Sequence, residues 1–238
     1  PSVWELPDAP DTSAPNPTHL EQCWFPGVHS NIGGSYDDTG IANLTLAWIM
    51  SRLAAFLDFD PDFVAQQQRA NASYVAAVTR AAPKPTPTPS ASWPAAEAAD
   101  KALWASTTLY NSSSDFITGV LGGSSTRTPG RYHATDPLTN RRIQSTPLQH
   151  THERMHASVR LRASMGGLVD GGKWSAYQPA ALDGWRLERR KDSLAPGKAD
   201  GGEEWLWVYE GDEEQFKGRV MQEDEAGVFE RLLMHDAV

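Results

Sequence analysis

The 238-residue chain has a single cysteine, Cys23, so it can form no intrachain disulfide and no cysteine-based zinc cluster. One free thiol suits a reducing compartment, and the expected localisation is cytoplasmic. Positive charge is also scarce. With 21 Lys and Arg against 30 Asp and Glu, the net charge is −9, which excludes a general nucleic-acid binder because phosphate recognition needs concentrated cations. The one basic run, RLERRKD (186–192), is short, is followed by acidic segments, and reads as a solvated face. Long apolar runs are missing too. The most membrane-like window, IANLTLAWIMSRLAAFLDF (41–59), carries Asn43, Arg52 and Asp58 and reads as a buried amphipathic helix. No internal repeat and no signal peptide are visible. The chain begins at Pro1 without a methionine, so it is expected to be a piece of something longer. Of the three Asn-x-Ser/Thr sequons (Asn43, Asn71, Asn111), Asn43 falls in a segment expected to pack as a helix, where a glycan would not fit.

Regular structure is expected in blocks. HLEQCWFPG (19–27) is a compact apolar run closed by Pro-Gly and predicts a buried strand. HSNIGGSYDDTG (29–40) predicts an irregular loop. Leu44, Ala47, Trp48, Leu53 and Leu57 recur near helical spacing over about 42–57, and a second helix is expected over 61–80. APKPTPTPSASWP (82–94) predicts an extended loop, since its prolines block helix and sheet ladders alike. A short helix is expected at 95–109, a surface-wrapping segment at 111–150, and a strand or extended segment at ASVRLRAS (157–164). GWRLERR and EEWLWVYEG predict two strands and EAGVFERLLMHD (225–236) a closing helix. Trp205 and Trp207, two apart on a strand, share a face that is expected to be buried against the body.

The order strand, histidine-bearing loop, helix has chemical meaning. In open α/β sheets, reactive groups collect where loops leave the carboxyl ends of the strands. An imidazole titrates near neutrality, so His29 could take a nucleophile's proton and return it to a leaving group. Gly33 and Gly34 would let backbone turn sharply or approach a substrate. From spacing alone a histidine beside Gly and Pro is more often a hydrogen-bonded loop residue than a catalytic one.

QCWFPGVHSNIGGSY (22–36) followed by LTLAWIMSRL closely resembles the W-F-x-G-x-H-S-[DN]-[IV]-G-G-G-Y motif and following helix of an α/β-hydrolase family. It is the family called domain of unknown function 2235, abundant in fungi and including phospholipase effectors of bacterial type VI secretion. TRTPGRY (126–132), HERMHASVRLR (152–162) and YQPAALDGW (177–185) look like later elements of its fungal members. The resemblance implies that His29 matches the catalytic histidine, with Ser30, Asn31, Gly33 and Gly34 supporting its loop. It also implies a nucleophile in a G-F-S-R-G-A elbow upstream. No G-x-S-x-G occurs here, and the acid too is expected before VWELP. Asp8 and Asp11 match no assignable family position. Asn31 stands where bacterial relatives often carry Asp, and Ser35 replaces the third glycine.

The expected fold class is therefore α/β, the C-terminal portion of an α/β-hydrolase-like fold with long irregular loops and a small β plus helix tail. Residues 1–190 would form the hydrolase-like part and 191–238 a hairpin and helix packing on it. The expected function is the histidine-bearing part of a serine esterase or phospholipase, acting on a small-molecule or lipid ester. No cofactor and no nucleic acid are implied, contact with a membrane surface is left open, and the oligomeric state is undetermined. Two alternatives stand beside it. One is a catalytically inactive interaction remnant. The other is a zinc-dependent hydrolase using HERMH (152–156), which satisfies H-E-x-x-H, a signature that requires two histidines one helical turn apart. Val159 and Arg162 depart from the extended form of that signature, no third ligand is evident, and His133 reads as a surface loop residue.

Overall fold

The computed structural model describes residues 3–6, 18–81, 103–111, 126–136, 138–139, 141–191 and 203–234. In chain order its elements are β1 (Gln22–Trp24), α1 (His29–Gly33), α2 (Gly40–Leu53), α3 (Pro61–Ala81), β2 (His133–Thr135), β3 (Arg142–Pro147), β4 (Glu153–Met155), α4 (Ala157–Met165), β5 (Gly167–Val169), β6 (Lys173–Ser175), β7 (Trp185–Lys191), β8 (Glu203–Tyr209), β9 (Val220–Gln222) and α5 (Val228–Leu233). The Pro-rich 82–94 segment, most of the helix expected at 95–109, and Asp8 and Asp11 lie outside the described residues.

Two compact units interleave along the chain. One gathers Pro1–Trp24, Ser125–Met155 and Pro179–Asp224; the other gathers Phe25–Ser124, His156–Gln178 and Glu225–Val238. The boundary expected at 190/191 falls inside β7 and does not coincide with this division.

The first unit is built of strands. β1 and β4 pair in parallel, Gln22 opposite Glu153 and Trp24 opposite Met155. β7, β8 and β9 form an antiparallel sheet in that order, with Leu187 opposite Trp207 and Trp207 opposite Met221. On β8, Trp207 and Tyr209 are buried on one face and Leu206 on the other. Trp207 thus meets the expectation of burial, while Trp205 is only half-buried. The 111–150 segment, expected to wrap the surface, instead contributes the antiparallel pair β2–β3. His133, read as a surface residue, is buried on β2 against the edge of Phe216, with ring centroids 4.9 Å apart. A three-residue strand between Pro-rich and polar flanks gives almost no periodic signal, which is why it is invisible in the sequence.

The second unit is helical. Leu44, Ala47 and Met50 lie three residues apart on α2 and pack with Val64 of α3, Ala157, Leu161 and Met165 of α4, and Phe229 and Leu233 of α5. Trp104 and Ala105, in a 3-10 turn over Leu103–Ala105, complete this core. Pro61 starts α3 where its missing N–H costs nothing, and the Asp60 carboxylate accepts the Asp62 amide at 2.9 Å. Asn43 and Asn71 are buried and hydrogen-bonded, so two of the three sequons are closed to glycans in the folded chain.

The reading of 157–164 as extended is corrected: it is α4. The alternation of Val159 and Leu161 with arginines imitates a strand. Yet Ser158 and Arg162 are buried as well, so every side of this short helix is covered and no helical stripe shows in the sequence. His156 caps its N-terminus, its ring accepting the Ser158 amide at 3.1 Å. Gly166, at φ +76, ends it and donates its N–H to the Arg162 carbonyl at 2.8 Å.

Candidate functional site

The loop that follows β1 is a set of local hydrogen bonds built around one side chain. Asn31 is buried, and its Oδ1 accepts the Val28 amide at 3.0 Å while its own amide donates to the Val28 carbonyl at 2.9 Å. This short circuit is what an Asn offers a turn that a helix interior would refuse. Gly27 sits at φ +105, and a Cβ there would come within 2.8 Å of the Asn31 Cβ, so the position tolerates only glycine. Residues 29–33, expected to be irregular, make the single turn α1.

His29 is the first residue of that turn. Its side chain is exposed, and among the described residues the imidazole has no hydrogen-bond or ion-pair partner. Of the expected supporting residues, Asn31 closes the turn. Gly34, at φ +88, takes a backbone conformation that side chains disfavour, whereas a side chain at Gly33 would meet open space. Ser30 is half-buried next to the histidine. Ser35 carries φ +97, a conformation suited to the glycine that the resembling motif places there.

Beneath the loop lies a buried group that sequence reasoning did not assemble. Phe25 stacks on the His156 ring, with centroids 4.5 Å apart and planes 20° apart. His156 Nδ1 accepts the Ser158 N–H, so the ring proton sits on Nε2 and is donated to Glu230 Oε1 at 3.2 Å. The other Glu230 oxygen accepts the Gly227 amide at 2.7 Å. Ser158 Oγ is 2.8 Å from His156 Nδ1, which completes a serine, histidine, glutamate series. Its members are at most 1% exposed, and the nitrogen facing the serine is already occupied by a backbone N–H. No substrate can reach this series and no proton can be drawn from its serine. Its role is to join the start of α4 to α5.

The zinc reading of HERMH fails on geometry. Residues 153–155 form a strand, so the helical presentation on which the signature depends is not made. Glu153 is occupied in accepting the Trp24 indole at 2.8 Å and the Gly130 amide at 2.9 Å, and His156 is occupied as described. Among the described residues no group of three or more His, Cys, Asp or Glu side chains could hold a metal ion.

Asp38, the buried carboxylate of the loop that leads into α2, is equally committed. Its oxygens accept the amides of Gly40 at 3.1 Å and Thr108 at 2.6 Å and the Asn71 side-chain amide at 3.0 Å. Asn71 in turn accepts the Thr39 amide at 2.8 Å, tying the head of α2 to α3. Nearby, Tyr36 stacks on Tyr110 at 4.2 Å, and burial raises the Tyr110 hydroxyl well above its ordinary range, where it meets the Tyr74 hydroxyl at 3.0 Å. The YDDTG string was a sequence signal for a helix-capping acid, but its distant partners Asn71 and Thr108 were not legible.

Compared with known families, residues 1–52 match a family model described as T6SS, phospholipase effector Tle1-like, catalytic domain. The match takes in β1, the His29 loop and nearly all of α2, that is 52 of the 238 residues. No curated protein and no solved structure matches the chain.

Proposed function

We propose that this chain is the histidine-bearing part of a serine ester hydrolase of phospholipase-like type, with an α/β-hydrolase fold completed by polypeptide upstream. The observation that carries the reading is the match of residues 1–52 to a Tle1-like phospholipase effector catalytic domain, with His29 exposed inside it and without a partner among the described residues. His29 acts as general base toward a serine and then as general acid toward the leaving alcohol, with a carboxylate orienting its ring. The serine elbow and the acid are expected upstream, because in α/β-hydrolases the triad runs serine, acid, histidine along the chain. Asn31 and Gly27 hold the turn from which the imidazole projects. The parallel pairing of β1 and β4 supports the fold, since parallel strands occur almost only in larger sheets covered on both faces. We propose further, from the likeness of residues 22–36 and of the segments 126–132, 152–162 and 177–185 alone, a relationship to fungal members of the family called domain of unknown function 2235. The substrate class is a lipid or small-molecule ester, reached at a membrane surface or in the cytoplasm.

The chain alone is inactive on this reading, because its sequence carries no G-x-S-x-G elbow. The test is labelling with a fluorophosphonate probe and hydrolysis of p-nitrophenyl esters. The 238-residue chain should give neither adduct nor turnover. The upstream-extended protein should give both, and His29→Ala in it should lower kcat about 10⁴-fold or more. Turnover that survives His29→Ala in the extended protein would overturn the assignment. A second reading, an inactive remnant that binds a partner, draws on the apolar side chains that α2 and its C-terminal turn leave exposed, Ile49, Leu53, Phe56 and Leu57. An extended protein that takes no probe would favour it.

A further inference from the structure

The loop that runs from His29 to Asp38 is closed at its incoming end by the Asn31 bonds to Val28. Its outgoing end turns back through two successive residues at positive φ, Gly34 at +88 and Ser35 at +97, and then meets a separate support. Residues 105–110 form this strap and run beside β5. Leu168 donates its N–H to the Ser106 carbonyl at 2.8 Å, and Leu109 donates to the Leu168 carbonyl at 2.9 Å. Arg162, only 1% exposed, braces the same strap: its guanidinium donates to the carbonyls of Ala105 at 3.0 Å, Thr107 at 2.6 Å and Leu168 at 2.5 Å. A Cβ at Gly167 would lie 2.4 Å from Arg162 Cζ, so the guanidinium has one place to be. The strap in turn holds the loop. Thr108 donates its N–H to Asp38 Oδ2 at 2.6 Å, and a Cβ at Gly40 would come within 2.4 Å of the Thr107 methyl group. Tyr110 stacks on Tyr36 with centroids 4.2 Å and planes 20° apart, and its hydroxyl meets that of Tyr74 on α3 at 3.0 Å.

We infer that Tyr36 is a positioning residue for His29, clipping the outgoing end of the histidine loop to a strap whose place is fixed by Arg162 and β5. The inference deepens the reading of His29 as the catalytic histidine and rests on it for its functional meaning; the contacts themselves are independent of any activity. A catalytic imidazole has to be held to within about 0.5 Å, and a loop achieves this only when its own supports are rigid. A turn tied at one end can swing about that end, and Gly34 and Ser35 lie where the swing would begin. The Tyr36–Tyr110 stack takes hold at the residue that follows them. Asp38 lies two residues further on, and two of its bonds go to Gly40 at the head of α2 and Asn71 of α3. It fixes where the loop ends, and Tyr36 fixes the part nearer the histidine.

Tyr36→Leu deletes the stacked ring and keeps an apolar side chain, whereas Tyr36→Phe keeps the ring. Amide hydrogen exchange and the His29 Cε1–H signal would be followed by NMR in the 238-residue chain. Tyr36→Leu should raise exchange at residues 30–36 about 5-fold, the loss of one aromatic pair, and broaden the His29 signal, with exchange in α2 and α4 unchanged. Tyr110→Leu, which removes the other ring of the stack, should raise exchange at 30–36 in the same way, and Tyr36→Phe should keep the parent rates. Unchanged exchange at 30–36 in the two leucine variants would overturn the inference. An equal rise throughout α2 would overturn it too, since Tyr36 would then support the unit as a whole. In the upstream-extended protein, Tyr36→Leu should lower kcat about 10-fold and leave KM within about 2-fold of the parent value; an unchanged kcat beside faster exchange would overturn the positioning role. Failure of the catalytic reading would show instead as turnover surviving His29→Ala, with these exchange rates unaffected.

Discussion

Ser35 gives the sharpest prediction about the candidate site. It lies six residues after His29 with φ +97, directly after Gly34 at φ +88. A side chain held in that region costs about 1–3 kcal/mol, because its Cβ crowds the neighbouring peptide groups. Ser35 recovers none of this through its hydroxyl, which is exposed and has no hydrogen-bond partner among the described residues. Ser35→Gly relieves the strain and adds backbone freedom to the unfolded chain, at a cost of about 0.5–1 kcal/mol. The balance is a stabilisation of about 1 kcal/mol, which for a chain of this size raises Tm by about 2–4 °C. The assay is thermal unfolding followed by circular dichroism, with Ser35→Ala as the control. Alanine keeps the Cβ and the strain, so its Tm should stay near that of the parent chain. A Ser35→Gly protein no more stable than the parent would refute the reasoning. So would an alanine variant as stable as the glycine one, because the gain would then come from losing the hydroxyl.

Two further outcomes follow from buried polar groups. Asp38→Asn should lose about 1–3 kcal/mol in urea unfolding, because a carboxamide cannot accept from Gly40, Thr108 and Asn71 together and turns an N–H toward one of these donors; an unchanged midpoint would show that the network is not strained by the swap. His133 should make the first unit sensitive to acid. Burial lowers its folded-state pKa below the ordinary 6.5, Arg142 and Arg219 lower it further, and Glu213 raises it in part. The unfolded chain therefore binds the proton first, so stability is full above about pH 6.5 and falls as pH drops below it. His133→Phe, which keeps the ring contact to Phe216, should lose less of its urea midpoint between pH 7.5 and 5.5 than the parent chain; equal losses would show that His133 does not contribute.

Much of the second unit is legible in the sequence. The apolar spacing of Leu44, Ala47 and Trp48 and the Asp60-Pro61 break between two helical segments are local signals, and α2 and α3 stand close to where those signals put them. GWRLERR and EEWLWVYEG likewise form β7 and β8. α4 is not legible, because burial on all sides erases the stripe from which a helix is read. His29 is singled out by its flanking glycines, and Asn31 by its place in the motif. The supports are a different matter. Phe25 meets His156 across 131 residues of chain, and Glu230 lies 74 residues beyond His156. Nothing local marks such pairs. H-E-x-x-H misleads for the same reason: the string fixes spacing, while the conformation of residues 153–155 is decided by β1, which pairs with them from far upstream.

The central claim is that His29 works with a serine and an acid supplied from upstream in the same polypeptide. The most direct test is to read the native transcript upstream of the Pro1 codon. The account predicts a continuous open frame that encodes a G-x-S-x-G elbow and then an acidic residue before VWELP. A start codon close to Pro1, with no such elbow in frame, would contradict it.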